Sequence, residues 1–211
     1  MNNYEYIIAS LPDIDLSDAN GGKMPEDVEE FIREQLSEKD NARLDILLEG
    51  RDPEKLDSSF YAKALASGSR FLREYFLFDL QVRNEKVRHL NRALGRDAEL
   101  DTVTPDLPED APIGEEPDYS PEAELAETLR RIYSGTDILE KESAIDKLTW
   151  EKIDEITTFD DFDLDAVLAF VAKLQIILRW LKLDEETGRR LMRTLTDEVR
   201  GSYAKLEFTA Q

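Results

Sequence analysis

The chain has 211 residues, 41% of them hydrophobic and 36% charged, which is enough to bury a core, too apolar for wholesale disorder and too charged for a membrane protein. It contains no cysteine and one histidine, His89, which excludes disulfides, thiolate catalysis and metal sites built on cysteines or a histidine pair. A formal net charge of −21 opposes binding to nucleic-acid phosphates or to an anionic lipid surface, and it suits either plain solubility or a partner with a basic face.

No run approaches the roughly 20 apolar residues that cross a bilayer. The opening MNNYEYIIASLPDIDL lacks the basic start of a signal peptide, so a cytoplasmic protein without membrane insertion is expected. In residues 1–24, the stretch Tyr4–Leu11 is too short for periodicity to choose between helix and edge strand, and Pro12 ends it. Asp13, Asp15, Ser17 and Asp18 hint at a calcium loop, but Asp18 stands where a sharp-turn glycine is needed and Met24 where a bidentate Glu is needed. A turn-rich loop is the better reading.

Pro25, Glu26 and Asp27 start a helix with Val28, Phe31, Ile32 and Leu36 on one face. Asp40 is the expected cap of a second helix containing Leu44, Leu47 and Leu48 and closed by Gly50, and Asp52-Pro53 opens another start. From Ser58 the pattern lengthens, with Gly68 bending or breaking it. Ser69–Gly95 is the longest patterned stretch, apolar on nearly all sides from Phe71 through Leu80 and on to Val87, Leu90 and Leu94. Such a helix packs against several neighbours, and Arg83 to Arg88 should return it to solvent.

Residues 96–121 hold Pro105, Pro108, Pro112, Pro117 and Pro121 and no Lys or Arg after Arg96, so an exposed acidic linker is expected between helical units at 1–95 and 122–211. Pro121 restarts helix with Leu125, Leu129, Ile132 and Tyr133. Thr136 or Asp137 caps the next, whose apolar face is expected to run Ile138, Leu139, Ile145, Leu148, Trp150, Ile153 and Ile156. Asp161 or Asp163 caps a strongly apolar helix over 163–182, and the positive end of the helix dipole explains the acid cluster there without a metal. Asp184 opens a last helix with Leu191, Leu195, Val199 and Tyr203. The fold class is therefore all-α, as one elongated bundle or two.

Enzyme chemistry finds little support. There is no nucleophile elbow, no phosphate loop and no dinucleotide loop, and Gly21-Gly22-Lys23 reads as a turn. Lys86 stands three residues before His89 where a bundle di-metal site needs Glu. No catalytic, cofactor or metal residue is assigned. Asp79 and Arg83 lie four apart on one helix face, so an ion pair that fixes helix packing is expected, with contact to a partner as the functional alternative.

The two apolar helices echo one another. Tyr75-Phe76-Leu77 leads through Leu80-Gln81-Val82 to Arg83, and Ala169-Phe170-Val171 leads through Leu174-Gln175-Ile176 to Arg179. This order suggests either a duplicated helical unit or two buried helices alike by chance. The run Tyr75-Phe76-Leu77-Phe78-Asp79-Leu80-Gln81-Val82-Arg83-Asn84, on to Gly95, resembles a repeated unit of the C (or d) subunit of V-type and A-type rotary ATPases. Val167–Arg179 resembles a second unit, with Leu178 where Asn84 stands and Lys173 where Asp79 stands. Tyr4–Pro12 is similar to the start of a little-characterised bacterial family encoded among V-type ATPase subunits.

The resemblance implies a non-catalytic central-stalk adaptor that seats the shaft on the membrane rotor ring, with shaft and ring subunits as partners and a cytoplasmic place at the inner membrane. It makes Asp79, Arg83, Asn84 and Arg179 the candidate partner contacts. The alternative is an acidic helical scaffold or regulatory binder unrelated to ATPases.

Overall fold

The computed structural model describes residues 4–20, 28–107, 117–160 and 162–182. The expected helix start at Pro25, the Gly21-Gly22-Lys23 turn, Pro108 and Pro112, the cap at Asp161 and the last helix with Leu191, Leu195, Val199 and Tyr203 lie outside them. Among the described residues the chain is all-α, with eight α-helices and two short 3-10 turns. The helices are α1 (Tyr4–Ser10), α2 (Val28–Gln35), α3 (Glu38–Glu49), α4 (Ser58–Leu65), α5 (Arg70–Ala93), α6 (Ala123–Tyr133), α7 (Ile138–Ile156) and α8 (Leu164–Lys182).

Side-chain caps set many of the boundaries. Asp57 accepts from Phe60 N, Ser69 from Leu72 N, and Asp137 from Leu139 N and Glu140 N, each satisfying backbone donors that a helix start leaves open. Ser37, not Asp40, caps α3, and Asp40 instead sits buried at the third helical position. There its carboxylate accepts from the Ser37 hydroxyl at 2.6 Å and the Tyr4 hydroxyl at 3.0 Å, tying α1 to α3 in a variant of the capping box. Gly68 breaks the chain between α4 and α5 at φ +71°, a conformation only glycine adopts cheaply. Gly50 is needed for space: a Cβ there would meet Phe76 ring carbons at 2.5 and 2.6 Å.

The 24-residue α5 is about 36 Å long. Phe71, Leu72, Phe76 and Leu80 join the main core with residues of α1–α4, α7 and α8, while Phe78 and Val82 form a second cluster with Leu129 and Tyr133 of α6. Two cores on two faces account for a helix apolar nearly all round. The contacts also fix direction. Ser69 and Phe71 meet Asp165 at the start of α8, Arg70 meets Ile156 O at the end of α7, and both Lys86 and Arg179 approach Glu142. So α5 and α8 run parallel, with α7 antiparallel to both.

Three expectations need correction. Residues 83–88 do not return α5 to solvent, because Asn84 and Glu85 are buried. Leu90, Leu94, Ile138 and Leu139 fit the apolar pattern yet are each about half exposed or more. The stretch after Arg96 is no open tether over its described parts: Asn91 donates to Leu100 O at 2.6 Å, Ser58 to Thr104 O at 2.8 Å, and Gln81 to Asp118 O at 2.9 Å. Val103 and Tyr119 pack on the main core.

Candidate functional site

Asp79 is the hub of the first polar group. Its Oδ2 accepts from the Tyr61 hydroxyl at 2.6 Å and from Arg83 Nε at 2.7 Å, so the i, i+4 pair forms and α4 is tied to α5. Burial first, and then the Asp79 charge, push the Tyr61 hydroxyl well above its ordinary pKa, so it stays a proton donor. The Arg83 side chain is half in solvent. Asn84 turns the other way and is spent within the chain: its Nδ2 donates to Val103 O at 2.8 Å and its Oδ1 accepts from Val103 N at 2.9 Å.

Arg179 stands at the matching level of α8. It pairs with Asp146 of α7 and approaches Glu142 at 3.9 Å, while Trp180 Nε1 donates to the same Asp146 oxygen. Burial raises the Asp146 pKa even though Arg179 and the Trp180 N–H pull it down. A carboxyl whose folded pKa lies above its unfolded value is protonated more readily in the folded chain. Its contribution to stability therefore grows as pH falls through the folded pKa and levels off below the unfolded one. Wild type should gain more stability than Asp146→Asn when both are taken from about pH 7 to about pH 4. Urea midpoints measured across that range check this, and equal gains would sink it.

The structure thus forms two ion-pair groups, Asp79–Arg83 and Asp146–Arg179, both within electrostatic reach of Tyr75 along one polar seam, and takes Asn84 away from it. The echo between the helices is incomplete. Gln81 donates to the backbone at Asp118 and Ser120, whereas both amide atoms of Gln175 are buried with no hydrogen-bond partner among the described residues.

Sequence reasoning missed Glu85 and Asp146. Each carried a signal in its spacing. Glu85 extends the Phe78–Val82 stripe by a further turn, and Asp146 lies seven residues before Ile153 on the buried stripe of α7. A carboxylate on a core stripe demands a cation, and Glu85 finds Arg92 Nη1 at 3.1 Å, Arg88 at 3.8 Å and Arg130 at 3.9 Å.

Beyond the seam lies an apolar end. Lys86 of α5 pairs with Glu142 of α7 at 3.5 Å. One turn further out, α5 presents Leu90 and then Leu94, while α7, running the other way, presents Leu139 and Ile138. All four are about half exposed or more, so two helices share an uncovered apolar surface. Lys86, Arg88 and Arg92 on α5 and Arg96 just beyond it flank this stretch in sequence, with no carboxylate between residues 86 and 96. A shallow polar depression of about 400 Å³ runs along α6 between Glu124 and Ser134, with Arg130 and Arg131 in its wall.

Taken together, these features define an all-α helical bundle with a polar seam and an exposed apolar end. The chain belongs to the family described as a protein of unknown function, DUF2764, which it matches over residues 49–202, from the end of α3 through α8 and beyond. No curated protein and no solved structure matches it. Among the described residues, no helix is long and apolar enough to cross a membrane.

Proposed function

We propose that this protein is a non-catalytic, C-subunit-like adaptor in the central stalk of a V-type ATPase, placed between the membrane rotor ring and the shaft. The observation that carries the reading is the exposed end built from Leu90, Leu94, Ile138 and Leu139 beside the half-exposed Arg83 and Arg179. An apolar patch with a charged rim is what a docking surface needs, and the seam behind it is fixed by hydrogen bonds before any partner arrives. The likeness of Tyr75–Asn84 and Val167–Arg179 to C-subunit units supports shaft and rotor-ring subunits as the partner class. The protein would work through shape and charge on the cytoplasmic side and reach the inner membrane through those partners. The net charge of −21 supports the second reading as well, an acidic scaffold or regulatory binder outside any ATPase.

Affinity purification of the tagged full chain from its host tests both. Rotary ATPase subunits are expected with wild type and should fall about tenfold or more with Leu90→Glu/Leu94→Glu. Because both leucines are exposed, the helical circular dichroism of that variant should match wild type. Recovery of other proteins and no ATPase subunit would overturn the adaptor reading in favour of the scaffold.

A further inference from the structure

The opposite end of the bundle carries a different surface. In the turn between α7 and α8, Phe159 is 93% exposed and Phe162 is 58% exposed. Large apolar side chains gain by leaving water, so two phenylalanines in solvent within four residues are a stronger signal than singly scattered exposed leucines.

The turn that presents them is held fast. The Thr157 and Thr158 hydroxyls donate to Ile153 O at 2.8 Å and Asp154 O at 2.9 Å, and Asp160 N donates to Thr157 O at 3.0 Å. The Asp160 carboxylate pairs with Arg70, whose Nη1 also donates to Ile156 O at 2.9 Å. On the far side, Asp163 caps Ala166 N at 3.0 Å, and Asp165 accepts from Ser69 Oγ at 3.1 Å and from Phe71 N at 3.3 Å. A turn pinned to α5 on both sides spends little ordering entropy when its rings are buried.

Charge says what would bury them. Residues 154–165 contain Asp154, Glu155, Asp160, Asp161, Asp163 and Asp165 and no Lys or Arg. The neighbouring cations Lys173, Lys152 and Arg70 meet Asp154, Glu155 and Asp160, which leaves the end acidic. A complementary surface is therefore apolar at its centre and basic at its rim. A second copy of a chain at −21 meets long-range repulsion.

We infer that Phe159 and Phe162 form a two-ring anchor for another protein, seating in an apolar pocket rimmed by lysine or arginine. The inference does not rest on the adaptor reading, since it concerns the other end of the bundle and any partner of that chemistry.

Photo-crosslinking of the full chain in its host tests it. With p-benzoylphenylalanine at position 159, the expected adduct maps to one segment of another protein in which Lys or Arg flanks apolar residues. Phe162→Ala should cut its yield about tenfold, because paired aromatic anchors carry most of such an interface. The same probe at position 147, exposed midway along α7 and away from both ends, should not give that adduct. The proposal is overturned by no adduct above the position-147 control, by adducts only to a second copy or to residues 183–211, by a mapped segment without Lys or Arg, or by a yield that Phe162→Ala leaves unchanged.

Discussion

Glu85→Ala should lower the unfolding free energy by about 3 kcal/mol, the low end for breaking a buried ion pair. The Glu85 carboxylate is buried beside Arg92, Arg88 and Arg130, which come from two helices, and among the described residues it is the one anion shared by all three. Its removal leaves like charges facing one another across the joint between α5 and α6. Two features keep the loss from being larger. Arg92 and Arg130 are half exposed and can turn to water, and Arg88 retains Glu99 at 3.0 Å. Urea denaturation measures the effect, and a cycle with Arg92→Ala sharpens it: the double variant should lose less than the sum of the single ones. A loss below about 0.5 kcal/mol would mean that the cluster is solvated like a surface network. The joint also matters for function. It holds α6 against α5 one turn from Leu90, so loosening it should weaken docking at that end along with stability.

The helices were legible because their signals are local. Spacing of apolar residues and the polar residue ahead of each run place α4, α5, α7 and α8 within a residue or two, and of the two cap candidates before α7 it is Asp137 that caps. What was hidden depends on long-range contact. Asp40 looks like a cap, and only the fold shows that Ser37 takes that role while Tyr4 of a distant helix bonds the Asp40 carboxylate. Val103, Pro105 and Tyr119 lie in a stretch whose composition reads as tether, yet Asn84, Asn91, Ser58 and Gln81 supply the hydrogen bonds that lay it along α4 and α5. Of the candidate site, the Asp79–Arg83 pair follows from i, i+4 geometry. The pairing of Arg179 with Asp146 does not, because 33 residues separate them. Apolar periodicity also marks Leu90, Leu94, Ile138 and Leu139 as core, since a pattern cannot tell a face covered by this chain from one left for another.

Asn84→Ala should cost about 2–3 kcal/mol, and Arg83→Ala less than about 1 kcal/mol, although the two residues are adjacent in sequence. Asn84 is 3% exposed and gives both ends of its amide to the backbone of Val103, so alanine would strand one donor and one acceptor and open a gap beneath them. The stretch from Asp97 to Asp106 would lose its central anchor, keeping the bonds from Asn91 and Ser58 and the Arg88–Glu99 ion pair on either side of it. Arg83 is half in solvent, and its loss leaves Asp79 still bonded by the Tyr61 hydroxyl. Hydrogen exchange at the Val103 amide separates the two residues: Asn84→Ala should speed it strongly, and Arg83→Ala should leave it as in wild type. Partner recovery should reverse the order, with Arg83→Ala weakening it at nearly native stability. If Asn84→Ala left both the denaturation midpoint and the Val103 exchange unchanged, this asparagine would not be the clamp it is taken for. The Asp79-to-Asn84 run would then have to be read as one outward-facing surface rather than as a polar seam with an internal tether beside it.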